Sequence, residues 1–201
     1  GGVASKTRES LMVCEAAGYD TVLVETVGVG QSETMVSDMT DCFLALMLPG
    51  AGDDLQGIKR GLLELVDVIA VNKADDETLT AAELAARQYN MAIKSLLGTQ
   101  HYPPHVLTCS ELHNKRVDQV WESIEQRYGE FKATGELARR HRQQRVRWLW
   151  AIIEDRLQQA LRNHPDVRAI RDTLEADVLA GTIPPEVAAR RILDAFGLTD
   201  Q

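Results

Sequence analysis

Cysteine is scarce in this sequence: Cys14, Cys42 and Cys109 are odd in number, far apart, and each sits inside an apolar stretch. Such a set builds no disulfide framework, and the three are expected as reduced thiols in a cytosolic core. No Cys-x-x-Cys pair occurs, so a structural zinc site is not expected. Long apolar runs are missing as well. The longest, "CFLALMLPGAG" from Cys42, is far shorter than the ~20 residues that cross a bilayer as a helix, and no membrane partner is expected. Positive charge is in deficit: 22 Lys and Arg stand against 30 Asp and Glu, a net charge of -8, which argues against a dedicated nucleic-acid binder. An initiator methionine is absent too. The chain opens "GGVASKTRES" with a helix that starts almost at once, so further residues upstream are expected.

What is present fits a globular protein. Hydrophobic residues make up 44% and charged residues 26%, and 201 residues suffice for one substantial core with a helical appendage. Four apolar runs, "TVLV" (21–24), "CFLALML" (42–48), "DVIAV" (67–71) and "HVLTC" (105–109), lack strict alternation. Continuous runs of that length fit strands covered on both faces, as in a parallel sheet with crossover helices, and the fold class is α/β. "TRESLMVCEAAG" reads as a helix stopped by Gly18. Thr80 and Glu83 have capping-box spacing, followed by a stripe of Ala81, Leu84, Ala85, Tyr89, Ala92, Ile93 and Leu96. Beyond about residue 115 only helical periodicity remains: Val146, Leu149, Trp150, Ile153, Leu157 and Leu161 form one stripe, and Val167, Ile170, Leu174 and Val178 another. The basic stretch "ARRHRQQRVR" (138–147) reads as a solvated helix face or an interface rim.

Three loops after predicted strands carry chemistry. Asn72-Lys73-x-Asp75 follows the third run, where an open α/β sheet presents its ligand edge. A carboxylate there can accept from the N1–H and exocyclic amine of guanine, a donor pair that adenine lacks, while the Asn amide meets the base and the Lys stem lies along the ring. "TCSEL" follows the fourth run, and a backbone N–H in it can reach the guanine oxygen. Glu25-x-x-Gly28 follows the first: a carboxylate suited to Mg²⁺, and a glycine whose backbone can approach a γ-phosphate. Each loop alone is equally a turn, with Ser110 or Asp53 as a helix N-cap. Their order, a phosphate-end loop, a base-selecting loop, then a base-contacting loop, favours a nucleotide site.

The strings "ETVGVGQSE", "LPGAGDDLQGIKRG" and "NKAD", with the opening "GGVASKTRESLMVCEAAGYD", resemble the MeaB/ArgK family, P-loop GTPases that accompany cobalamin-dependent methylmalonyl-CoA mutase. The resemblance is strongest over residues 1–75. It implies part of a P-loop NTPase sheet with crossover helices, followed by an all-helical C-terminal extension. Residues 1–132 would be the C-terminal part of the GTPase domain, and 133–201 a helical dimerisation extension. Glu25 and Gly28 would be the Mg²⁺ and γ-phosphate elements of the second switch, with Gln31 placed to help orient the attacking water. Asn72, Lys73 and Asp75 would select guanine. Ser110, Glu111 and Leu112 would be the base loop, Glu111 standing where the family has alanine. Asp53, Gln56 and Lys59 would signal nucleotide state to the mutase.

The implied function is a cytoplasmic, homodimeric GTPase that uses GTP and Mg²⁺ and acts as a chaperone for adenosylcobalamin loading of the mutase. The ArgK name adds a rival, an ATP-using kinase linked to basic amino-acid transport, against which Asp75 argues. A non-catalytic helical interaction module is a third reading. One departure stands out. No lysine here follows a glycine, so the Gly-x-x-x-x-Gly-Lys-Ser/Thr phosphate loop is absent from these residues, and the chain by itself is expected to bind GTP poorly and hydrolyse it hardly at all.

Overall fold

The computed structural model describes residues 2–26, 32–50, 60–98 and 102–198, with the backbone alone at 2–5, 32, 33, 60 and 97. Three short strands, β1 (Leu44–Met47), β2 (Val68–Val71) and β3 (His105–Thr108), form a parallel sheet in the order β1-β2-β3. Ile69 pairs with Ala45 on one side and Val106 on the other. β2 is central and buried at every residue, as its unbroken apolar run requires. Its alternate side chains feed two cores. Ile69 and Val71 pack with Ala45, with Leu63 of helix α3 (Arg60–Leu65), and with Ala82, Ala85, Tyr89 and Ile93 of helix α4 (Leu79–Leu97). Ala70 joins Cys109 and Val120 on the opposite face. Tyr89 is only 1% exposed, so its truncation to alanine costs about 3–5 kcal/mol.

Two sequence expectations are corrected here. The run at 21–24 is not a strand, and Leu23 is 83% exposed. An extended apolar segment becomes a strand only where a neighbour takes up its backbone hydrogen bonds, and among the described residues none does. Helix α4 is capped at Thr78 rather than Thr80, which lies in its first turn. The buried stripe therefore runs Ala82, Ala85, Tyr89, Ile93, while Ala81, Leu84 and Leu96 face outward. The first helix, α1 (Gly2–Ala16), ends as expected at Gly18: with φ 92, its N–H donates to the Glu15 carbonyl at 3.0 Å, and the Tyr19 N–H to Cys14 at 3.2 Å.

The chain forms two compact units, Ser10–Val146 and Gly1–Glu9 with Arg147–Gln201. The first contains helix α2 (Ser32–Ser37), the sheet, helix α5 (Val117–Thr134) and the opening turns of helix α6 (Glu136–Asn163). Gly135, at φ 77, turns the chain between α5 and α6. Within this unit the basic stretch is not simply solvated. Arg140 grips Asp67 with two hydrogen bonds of 3.0 and 2.9 Å and lies 3.9 Å from the Phe131 ring centroid. Gln144, 5% exposed, donates to the Ser37 and Thr40 carbonyls, and His141 meets Asp41 at 2.6 Å. Burial, then the Asp67 charge, push the nearby Cys42 thiol up to about 12, which leaves it inert as a nucleophile.

The second unit is helical: the remainder of α6, α7 (Pro165–Leu179) and α8 (Pro185–Phe196), each of the latter two opening on a proline tolerated in a first turn. Val167, Leu174 and Ala188 are buried, and His164 meets Phe196 edge-on at 5.4 Å. Leu149, Trp150 and Leu157 of α6 remain more than half exposed. Among the described residues no helix is long and apolar enough to cross a membrane.

Candidate functional site

Parallel strands end on the same edge of a sheet, so the loops after β2 and β3 emerge side by side. Their backbones stay laced together past the strands: the Cys109 N–H donates to the Val71 carbonyl and the Ala74 N–H to the Cys109 carbonyl, both at 2.9 Å. The Asn72 N–H reaches back to Met47 of β1 at 2.8 Å. Lys73 then takes φ 56, a left-handed conformation uncommon for a non-glycine residue, and the chain turns so that Ala74 is buried while Lys73 stays exposed.

Five of the six residues singled out in these two loops are joined by this geometry. The Ser110 hydroxyl, fully buried, donates to the Asp75 carboxylate and accepts from the His113 N–H at 3.2 Å. The Asn72 side-chain oxygen accepts from the Glu111 N–H at 3.3 Å and from the Cys109 thiol at 3.6 Å. Lys73 supplies backbone: its carbonyl accepts from the Thr78 hydroxyl. Leu112, 73% exposed, stands at the tip of the loop. Reciprocal backbone hydrogen bonds of 3.0 and 2.9 Å between Ser110 and Lys115 pinch that loop shut. Behind it, Arg116 donates to the Thr108 hydroxyl at 2.6 Å.

The electrostatics are mixed. Lys115 lies 2.9 Å from Asp76, and that hydrogen bond and charge hold the Asp76 carboxyl below its usual range. Burial, then the Glu111 charge, raise the Cys109 thiol, so Cys109 is a buried filler rather than a nucleophile. Asp75 keeps acceptor capacity beyond its bond to Ser110, because an ionised carboxylate has about four lone-pair sites. The donor pair of a guanine edge fits that capacity.

Glu25 is exposed. Mg²⁺ is held mainly by phosphate oxygens and water with one or two carboxylates, so a single exposed Glu suits it. Gly28, Gln31, Asp53, Gln56 and Lys59 lie outside the described residues. His101 and His105 stand four residues apart, a spacing seen in zinc sites. His105, however, directs Nδ1 to the Ser123 hydroxyl at 3.0 Å, and among the described residues no group of three ligating side chains occurs. A hollow of about 540 Å³ opens beside Tyr102, Gly135, Glu136 and Arg139, none of which belongs to the two loops. Its Glu136 and Arg139 satisfy each other at 2.6 Å.

Sequence reasoning placed Ser110 in the base loop, or at a helix N-cap, but did not foresee its side-chain bond to Asp75. One residue it missed altogether. Thr78, not singled out at all, bonds both Lys73 and Asp75. The one available signal was a hydroxyl three residues after Asp75, which is too common in turns to stand out.

A family model described as Methylmalonyl Co-A mutase-associated GTPase MeaB matches residues 1–166. The chain is 48% identical over 199 residues to a putative GTPase of Caulobacter vibrioides, covering 98% of this chain and 61% of that protein. It is 42% identical to the GTPase ArgK of Escherichia coli, covering 96% and 58% of the two chains. Against the mitochondrial methylmalonic aciduria type A homolog of Mus musculus it is 36% identical, covering 98% and 48%. A crystal structure of an LAO/AO transport system kinase superposes with a TM-score of 0.73 at 36% identity, over 96% of this chain and 62% of that one. The chain thus spans about half to three fifths of the length of these relatives. With identity of this level across nearly all its residues, it belongs to the MeaB/ArgK family of P-loop GTPases.

Proposed function

We propose that this chain is the base-selecting and switch-bearing part of a GTP-hydrolysing protein that chaperones adenosylcobalamin loading of methylmalonyl-CoA mutase or a related cobalamin-dependent mutase. The observation that carries the nucleotide half is the convergence of Asn72, Asp75 and Ser110 on one sheet edge, with Asp75 held by Ser110 and exposed enough to meet a ligand. In this reading Asp75 accepts from the N1–H and exocyclic amine of guanine. Asn72 ties the base loop to β2 through the Glu111 N–H, and the Lys73 stem covers the ring. Ser110, Glu111 and Leu112 line the guanine oxygen side. When bound, Mg²⁺ supplies positive charge that stabilises the transferring γ-phosphoryl group. Glu25 would hold it, the Gly28 backbone would face the phosphate, and Gln31 would orient water. Asp53, Gln56 and Lys59 would report the nucleotide state to the mutase.

The mutase half rests on the family, whose description names that association. The exposed Leu149, Trp150 and Leu157 of α6 support a homodimer formed through the helical extension of residues 133–201, beside a GTPase portion of residues 1–132. A cytoplasmic location agrees with the free cysteines. The decisive experiment is competition of GTP against ATP on the natural full-length gene product, followed by turnover with and without a cobalamin mutase. GTP preference and mutase-stimulated hydrolysis are expected, and ATP preference would remove the reading.

A second reading, an ATP-using kinase of basic amino-acid transport, is favoured by the name of the similar crystal structure. It gains nothing from Asp75, since adenine offers no donor pair to that carboxylate. The same competition separates the two. A non-catalytic interaction module would show no Mg²⁺-dependent GTP turnover at all.

A further inference from the structure

Thr78 sits at the N-cap of α4, yet its hydroxyl makes no hydrogen bond to the first turn of that helix. A capping threonine ordinarily accepts from the N–H of the second or third helical residue. Here the hydroxyl turns back onto the preceding loop. It donates to the Lys73 carbonyl and accepts from the Asp75 N–H at 3.2 Å, while the Thr78 N–H donates to the Asp75 carbonyl at 3.0 Å. One residue therefore makes three hydrogen bonds across the segment in which Lys73 holds its left-handed φ of 56. A lysine does not rest in that region unless its surroundings fix it there.

Thr78 is itself fixed. Its carbonyl accepts the Ala82 N–H at 2.9 Å, and Ala82 is fully buried in the core beneath α4. A path from the packed core to the Asp75 backbone thus runs through this side chain, beside the covalent one through buried Ala74. Ser110 grips the Asp75 carboxylate from the β3 loop. Asp75 is thus held at both ends, by Thr78 at its backbone and by Ser110 at its carboxylate.

We propose that Thr78 is a positioning residue for base selection: its hydroxyl sets the Lys73–Asp75 backbone so that the Asp75 carboxylate meets the paired donors of a guanine. The inference rests on the guanine reading of Asp75 given above. Thr78 is exposed, so water replaces its partners when the hydroxyl is removed. The loss falls on loop geometry, and hence on selectivity, rather than on stability.

The test uses the natural full-length gene product with Thr78→Val, Thr78→Ala, Thr78→Ser and Asp75→Asn. Affinities for GDP, for ADP, and for IDP, which lacks the exocyclic amine, are measured by competition with a fluorescent GDP analogue, alongside thermal unfolding. Thr78→Val and Thr78→Ala are expected to weaken GDP by about tenfold and to narrow the GDP-to-IDP ratio, with little change in melting, and Thr78→Ser to restore both. An unchanged ratio in both variants, or a serine variant as impaired as the valine one, overturns the role of Thr78 alone. If the wild type fails to prefer GDP to ADP, or Asp75→Asn leaves that preference intact, the guanine reading falls first and takes Thr78 with it.

Discussion

Asp67 and Asp75 stand at opposite ends of the same four-residue strand, and their surroundings are opposite in kind. Asp67, 4% exposed, has both oxygens occupied: Arg140 takes one each at 3.0 and 2.9 Å, and the Phe43 N–H adds a third bond at 2.9 Å. Asp75 is half-buried, bonded to Ser110, and open to whatever meets the C-terminal edge of the sheet. A carboxylate closed on every side ties parts of the chain together. One held but unfinished is ready for a ligand. Residue type and position after or before a strand do not distinguish the two; the filling of lone pairs does.

The comparison breaks most visibly at Asp67. Asp67→Ala takes two hydrogen bonds from Arg140, which keeps Glu136 at 3.2 Å, and leaves the Phe43 N–H without its acceptor, losses that together cost about 3 kcal/mol. Chemical or thermal unfolding should show a shift of that order. The ratio of GTP to ATP affinity in the folded protein should stay as in the wild type. At the other end the pattern inverts: Asp75→Asn should change stability by less than about 1 kcal/mol but weaken GTP by about 10²-fold. Xanthine nucleotide should bind the variant better than guanine does, because the amide donates where the carboxylate accepted. Nucleotide competition checks this, and loss of stability without loss of selectivity would erase the contrast.

Ser110→Ala sharpens the same contrast with a smaller effect. It removes one bond to Asp75 and leaves the His113 N–H without its acceptor, a cost of about 1 kcal/mol and a few-fold loss of GTP affinity. Combined with Asp75→Asn, the second substitution should add almost nothing, because both act on one carboxylate. Full additivity in the double-mutant cycle would mean that Ser110 does not work through Asp75.

How much of this was legible in the sequence depends on distance along the chain. The runs at 42–48, 67–71 and 105–109 gave strands because buried parallel strands write themselves as continuous apolar segments, and β2 is the plainest case. The run at 21–24 has the same composition and is not a strand, since strand formation needs a neighbour that composition does not reveal. The Thr80–Glu83 spacing misled by two residues because Thr78, whose hydroxyl is diverted to the loop, opens the helix first. Asn72, Asp75 and Ser110 were legible as loop residues at strand ends. The Ser110-to-Asp75 bond spans 35 positions, and Arg140 reaches Asp67 across 73, so no local pattern announces either. The basic stretch at 138–147 looked like a solvated face for the same reason: Arg140 finds its partner 73 residues away and Gln144 one of its own 104 residues away.

The smallest expected effect concerns His105, at the start of β3, on the Asp67 side of the sheet. Its N–H donates to the Asp67 carbonyl at 3.1 Å and its ring meets Ser123. Burial, then the Arg127 charge, lower its pKa from 6.5, with Glu130 opposing. The folded protein therefore favours the neutral ring, whereas the unfolded chain takes up a proton at higher pH. The stability this contributes is complete above the unfolded value and is lost as pH falls through the folded one. Unfolding measured from pH 7.5 downward should show wild type losing stability below about 6.5 more steeply than His105→Gln. Guanine affinity, proposed for the other end of β2, should not follow that difference, because Asp75 and Asp67 stand on separate hydrogen-bond networks. A parallel change in the two would show that the ends are coupled, and that the closed carboxylate sets the position of the open one.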